Sequence, residues 1–90
     1  MEHERLFSDL LEGARKLGVD VRVEPVEVTG RAAGGICTVA GRKLVLLDAR
    51  ATAGQRALAL ASALATLDHE SVYLAPKARA MIYARALRNR

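Results

Sequence analysis

The side chains of this 90-residue sequence that could do chemistry are few and scattered. Cys37 is the single cysteine and follows two glycines, a setting that some reactive thiols share. A nucleophilic cysteine needs a base within hydrogen-bond reach. The two histidines, His3 and His69, lie near the amino terminus and in a predicted loop. Because free cysteines are often buried, we expect Cys37 to be packed within a strand. Whether it has a redox role stays open, and no enzymatic activity is predicted.

Two further stretches could bind a metal or a phosphate. Residues 68–70 read Asp-His-Glu, but adjacent residues rarely converge on one ion. We interpret them as a solvated loop in which Asp68 or Ser71 caps a helical turn. The glycines between residues 30 and 35 lack the spacing of a dinucleotide-binding fingerprint or a P-loop. They predict a turn before a hairpin, and no cofactor is expected.

Basic side chains collect at the carboxyl end of the chain. Residues 76–90 contain five basic and no acidic side chains, whereas residues 1–30 contain seven acidic and four basic ones. Nucleic-acid binding usually requires a larger basic surface, often with aromatic side chains for stacking, and aromatic residues make up only 3% of this chain. We interpret the basic helix as a solvated face. Weak nucleic-acid binding by this helix is the alternative function.

The first elements follow from the spacing of apolar residues. Helical spacing predicts a helix from His3 to Leu17. Alternation of valine with charged residues predicts a strand over Val19–Val23. Because proline has no ladder donor, Pro25 predicts that this strand lies at a sheet edge or is interrupted there. Val26 and Val28 would continue the same strand.

A hairpin is predicted in the middle of the chain. Residues 29–35 are expected to form a loop, and two short apolar runs follow it at Ile36–Ala40 and Lys43–Leu47. The segment Leu44–Leu47 is apolar on both faces, which is typical of a central strand or of one whose second face is covered by something else.

Two more helices complete the predicted fold. Thr52 and Gln55 have the spacing of a capping box, which predicts a helix over residues 53–67. A proline in the first turn predicts a last helix over residues 76–89. The order α-β-β-β-α-α predicts an α+β class in one domain, residues 1–90, with a three-stranded, mainly antiparallel sheet and helices on one face.

The predicted hairpin and the helix after it resemble the core of ImmA/IrrE-type zinc metallopeptidase domains and of small uncharacterised bacterial proteins. In that family the helix carries Leu-Ala-His-Glu-Leu-Gly-His, and the similar stretch here reads Leu-Ala-Ser-Ala-Leu-Ala-Thr over residues 60–66. The resemblance implies zinc-ligand positions at Ser62 and Thr66 and the general-base position at Ala63. Hydroxyls are poor zinc ligands, and an alanine cannot accept a proton. The resemblance therefore implies a pseudoenzyme without zinc.

The last predicted helix has two apolar sides. One side carries Ala80, Tyr83, Ala84 and Leu87, and the other carries Ala78, Ile82 and Ala86. We expect one side to pack on the sheet and the other to stay open, and leftover apolar surface marks an interface. The sequence therefore predicts a non-catalytic interaction module that self-associates as a homodimer or binds another protein. The predicted interface residues are Ala78, Ile82, Arg85, Ala86 and Arg88.

The cellular compartment is predicted from what the sequence lacks. The amino terminus has no basic region followed by an apolar run, and no apolar stretch approaches the ~20 residues of a membrane span. A single cysteine suits a reducing compartment. The expectation is a cytoplasmic protein with no membrane partner.

Overall fold

The computed structural model describes residues 2–25 and 35–88. The predictions for Val26, Val28, Gly30 and Gly34 lie outside the described residues, as does most of the predicted loop before the hairpin. The described elements are α1 (Glu2–Lys16), β1 (Asp20–Glu24), β2 (Gly35–Val39), β3 (Arg42–Asp48), α2 (Ala53–Leu64), a short 3₁₀ turn (His69–Ser71) and α3 (Pro76–Arg88). The predicted α+β class and element order are confirmed.

The sheet has the strand order β1-β3-β2, so β3 is central and β1 lies at an edge, as predicted. The expectation of a mainly antiparallel sheet is wrong for one of the two pairings. β2 pairs antiparallel with β3, but β1 pairs parallel with β3, with Val21 opposite Val45. In the central place, both edges of the most apolar strand are paired with neighbouring strands. The sheet is therefore mixed.

Helices α1 and α2 pack on one face of the sheet, through contacts of α1 with β1 and of α2 with β3 and β2. The third helix does not follow the prediction that one of its sides packs on the sheet. Its main contacts are with α2 and α1. Helix α2 thus has partners on two sides, which explains why its buried residues form a wide band rather than a narrow stripe.

The core lies where these layers meet. The largest side chains with almost no solvent exposure come from every layer: Leu10, Val45, Leu47, Leu60, Leu64 and Ile82. The absence of a side chain at Gly13 lets the segment before α3 approach α1 closely. At Gly13, a Cβ atom would lie 2.6 Å from the Leu74 side chain, so this position of α1 accepts nothing larger than glycine without movement of Leu74.

The beginning of α2 agrees with the prediction and its end does not. The Thr52 hydroxyl accepts a hydrogen bond from the Gln55 backbone N–H, and the Gln55 side chain accepts one from the Thr52 backbone N–H. The predicted capping box is therefore confirmed. The helix ends at Leu64 rather than Leu67 because the next backbone bonds tighten to the i−3 pattern, as from Leu67 N–H to the Leu64 carbonyl.

Candidate functional site

The three positions implied by the metallopeptidase resemblance do not share one surface. Ser62 is partly buried and faces α3, Ala63 is buried, and Thr66 lies beyond the end of α2. The Ser62 hydroxyl donates to the Leu58 carbonyl at 2.9 Å, and the Thr66 hydroxyl donates to the Ala63 carbonyl at 2.7 Å. Both hydroxyls therefore serve the backbone of their own segment.

Ser62 also joins two helices. Its oxygen accepts a hydrogen bond from Nε of Arg85 at 2.9 Å, and the contact is partly buried. Arg85 was predicted to flank an interface with another chain. Instead, this guanidinium ties α3 to α2 within one molecule.

The side chains of the Asp68–Glu70 stretch are polar but do not converge on one site. Among its side chains, the Glu70 carboxylate accepts a hydrogen bond from the Tyr83 hydroxyl at 2.7 Å, and the His69 ring contacts the Tyr83 ring edge-on. Asp68 occupies the N-cap position of the 3₁₀ turn, but its side chain makes no capping hydrogen bond. The Ser71 hydroxyl donates to the Asp68 carbonyl, so the prediction of a side-chain cap at this turn is wrong. The hydrogen bond to Glu70 and its negative charge raise the pKa of Tyr83. This arrangement holds the 3₁₀ turn against α3.

The basic side chains of α3 also point in different directions. Lys77 forms an ion pair with Glu2 of α1, and the Arg79 guanidinium lies 5.9 Å from the centre of the Tyr83 ring. Arg85 points toward α2, and Arg88 is exposed. The described cations of this helix therefore do not form one continuous basic face.

Two of the predicted interface residues are not available to a partner. Ala78 and Ile82 have 0% of their surface exposed and belong to the core. Ala86 is partly buried. The open side of α3 is the opposite one, which carries Ala80, Tyr83, Ala84 and Leu87. Leu87 is 67% exposed. The sequence showed two apolar sides but could not show which one faces the core.

The face of the sheet away from the helices, which we call the outer face, is divided into two halves. Among the described residues, no helix or strand packs on it. Its β1 half is charged and internally paired: Arg42 donates to Asp20 at 3.0 Å, and Arg22 lies 3.8 Å from Glu24. These exposed pairs satisfy one another, so this half offers little apolar surface.

The other half of the outer face is an uncharged surface, the apolar strip, formed by Cys37, Val39, Leu44 and Leu46. The strand register places Cys37 beside Leu44. Leu44 and Leu46 are partly buried, Val39 is 55% exposed, and Cys37 is exposed. The prediction of a packed Cys37 is wrong, because β2 is an edge strand whose odd-numbered residues face away from the helices.

The outer edge of β2 is the second open feature of this half. Residues Ala40 and Gly41 join β2 to β3, and both have a positive φ, the pattern of a two-residue type I′ turn. Such a turn closes on a hydrogen-bonded pair, here Val39 with Arg42. Hydrogen-bonded and non-hydrogen-bonded pairs alternate along an antiparallel ladder. The backbone N–H and C=O groups of Ile36 and Thr38 therefore point away from β3, toward the outer edge of the sheet. No described strand pairs with that edge, which we call the free edge.

Neither a metal centre nor a membrane span is found in the part of the chain that the structure describes. No group of three or more histidine, cysteine or acidic side chains there could hold a metal ion. None of the described helices has the length and hydropathy needed to cross a bilayer. A surface groove lies between α1 and the start of α3, and its charged walls include Glu2, Asp9 and Lys77.

Comparison with known proteins does not assign this chain to a family. No protein-family model matches the sequence, and no curated protein or solved structure matches it either. The functional argument therefore rests on the surfaces described above.

Proposed function

We propose that this chain is a non-catalytic, cytoplasmic interaction module, a degenerate relative of the ImmA/IrrE-type domains, that self-associates as a homodimer. The observation that carries the proposal is the β2 edge, with which no described strand pairs, together with the apolar strip beside it. A sheet side that is uncharged and open in one chain marks a site of protein contact.

Charge supports the strip over the surface predicted from the sequence. The open side of α3 is bordered by Arg79 and Arg88, so two copies meeting through it would bring like charges together. Such pairing is unfavourable. The strip carries no ionised side chain, and its charged neighbours Asp20 and Arg42 already pair with each other.

The hydrogen bonds of the hydroxyls at the zinc-motif positions support the non-catalytic part of the proposal. Ser62 and Thr66 donate to backbone carbonyls, and Ser62 also accepts from Arg85. We expect the purified protein to hold less than a stoichiometric amount of zinc after dialysis. Elemental analysis that finds about one zinc per chain would contradict the pseudoenzyme proposal.

Sedimentation equilibrium over ~1 µM to ~1 mM tests self-association. We expect the mean mass to rise with concentration from that of the 9.7 kDa chain toward twice that value. Cys37→Lys should keep the protein monomeric, because two copies would then bring two new charges together on the strip. Ser8→Lys is the matched control, since it adds the same charge at an exposed position of α1. A monomer mass at every concentration would contradict the proposal.

Nucleic-acid binding by the basic helix remains the alternative, and the geometry favours it less. Lys77 and Arg85 are engaged within the molecule, and the remaining described cations of α3 lie on different sides. Fluorescence anisotropy with mixed-sequence DNA and RNA at low and physiological salt would detect such binding. Affinity that falls steeply with salt and is lost in Arg79→Ala/Arg88→Ala would favour this alternative.

A further inference from the structure

We propose that two copies of this chain join edge to edge, β2 against β2 in antiparallel orientation, with the two-fold axis beside Cys37. The two sheets then form one continuous sheet across the dimer. This inference rests on the proposed self-association and adds its surface and register.

The backbone of β2 is suited to such pairing. The N–H and C=O groups of Ile36 and Thr38 face the free edge, as the turn geometry and register require. With the axis beside Cys37, Ile36 of one copy lies opposite Thr38 of the other, and each pair exchanges two hydrogen bonds. All four outward-facing groups of each strand are then satisfied.

The two edges of the sheet differ in how they are protected. Natural edge strands avoid unwanted pairing through charged side chains and proline. The β1 edge has both, since Asp20, Arg22 and Glu24 alternate along it and Pro25 follows. The β2 edge, Gly35–Val39, has no charged residue and no proline. β2 is therefore the edge that can accept another strand.

A second copy is the occupant that this edge fits best. An antiparallel pair related by a two-fold axis needs no second sequence, because one strand supplies both partners. The absence of charged side chains on β2 removes electrostatic repulsion between the copies. Pairing uses up the open β2 edge of each chain, so the assembly closes at two copies. An interface of one short strand per chain is at the small end of specific contacts, so weak association is expected.

The register makes Cys37 a reporter of the interface. Cys37 would lie directly opposite its symmetry mate in a non-hydrogen-bonded pair, where Cα atoms are ~4.5 Å apart. That separation is within the range for a disulfide, ~4.4–6.8 Å. Val39 lies on the same face of β2, but its symmetry mate would be four residues away along the strand, roughly 13 Å. A cysteine at position 39 would be too far from its mate to form a disulfide.

Oxidation with glutathione disulfide tests this geometry. Two Cys37 thiols lose their protons and two electrons, and one glutathione disulfide is reduced to two glutathione molecules. We expect the wild-type chain to form a covalent dimer on non-reducing gels. The single-cysteine variant Cys37→Ala/Val39→Cys should form it at least about tenfold more slowly, since the new thiol is beyond disulfide range. Equal rates would overturn the edge-to-edge model and indicate that the outer faces meet instead.

A second variant tests the hydrogen bonds. Thr38→Pro removes an N–H that faces the edge and leaves the β2–β3 ladder intact, so circular dichroism should change little. Two interchain hydrogen bonds are lost in the dimer, and its Kd should rise at least about tenfold relative to Thr38→Ala. A concentration-dependent dimer that neither forms the Cys37 disulfide nor responds to Thr38→Pro would overturn the inference and leave the proposed self-association standing. A monomer at all concentrations would overturn both.

Discussion

The two faces of β3 carry similar residues and have different surroundings. Leu47 faces the helices and is 0% exposed, whereas its neighbour Leu46 faces the outer side and is only partly buried. The neighbouring strands β1 and β2 lie beside β3, so they do not distinguish its two faces. What differs is the second layer, because among residues 2–25 and 35–88 the helices α1 and α2 cover one face only. Within that part of the chain, the core does not explain the apolar character of the second face.

This difference separates stability from association. Side chains on the helix-facing side stabilise the fold through burial in a closely packed interior, where a lost methylene leaves a cavity. Side chains on the outer face leave no cavity when they are shortened, because water fills the space. Substitutions on the two sides should consequently affect different measurements.

The largest expected effect is that of Leu64→Ala in α2. Leu64 is fully buried and belongs to the core cluster, to which α1, α3 and the sheet also contribute. Truncation should lower the free energy of unfolding by ~2–5 kcal/mol, a large share of the stability of a small domain. Urea denaturation followed by circular dichroism measures it. Leu58→Ala, on the same helix but 41% exposed, is the control. An equal loss for both would mean that α2 is placed incorrectly.

The matched pair Leu47→Ala and Leu46→Ala tests the comparison directly. Both changes remove the same atoms from adjacent positions of β3 that face opposite sides. We expect Leu47→Ala to lower the unfolding free energy at least about twice as much as Leu46→Ala, because only the first leaves a buried cavity. If the two losses are equal at protein concentrations where the chain is monomeric, the outer face is covered as fully as the core.

A smaller effect is expected for Cys37→Ala. Since Cys37 is exposed on an edge strand, its replacement should change the unfolding free energy of the monomer by less than about 0.5 kcal/mol. The ~1 kcal/mol expected for a packed cysteine does not apply to this position. Thermal denaturation of both proteins under reducing conditions decides between the two values.

The smallest expected effect concerns acid. The hydrogen bond from Lys77 and its positive charge lower the pKa of Glu2 from its ordinary value of 4.5. A carboxyl group with a lowered folded-state pKa stabilises the fold above the unfolded pKa, and this contribution is lost as the pH falls through the folded value. Because the ion pair is exposed, Lys77→Met should reduce the fall in Tm between about pH 5 and pH 3 only slightly. A Lys77→Met protein with a markedly different pH profile would show that this pair contributes more than an exposed one should.

Local features were predictable from the sequence because nearby residues decide them. The capping box at Thr52 and Gln55 and the edge position of β1 before Pro25 depend on short-range hydrogen bonds and backbone sterics. The central position of β3 followed from a run of residues that is apolar on both faces. These are properties of segments a few residues long.

The surface that we propose for association was not predictable in the same way. The sequence pointed to the Ala78 and Ile82 side of α3, but two apolar sides of a helix look alike until its partners are known. Likewise, Cys37 was expected inside the core, and only the position of β2 at the edge exposes it. Both of these wrong predictions, for α3 and for Cys37 on β2, concerned which of two faces of an element packs against another element.

By itself, then, the sequence determined the elements, their order and the residues able to enter a core. The tertiary structure alone decided that β1 runs parallel to β3, that α3 packs mainly on helices, and that no described helix covers the outer face of β3. The physical reason is that periodicity shows which side chains share a face of an element. What that face contacts depends on residues distant in sequence, whose packing is settled only when all layers compete for the same apolar surface.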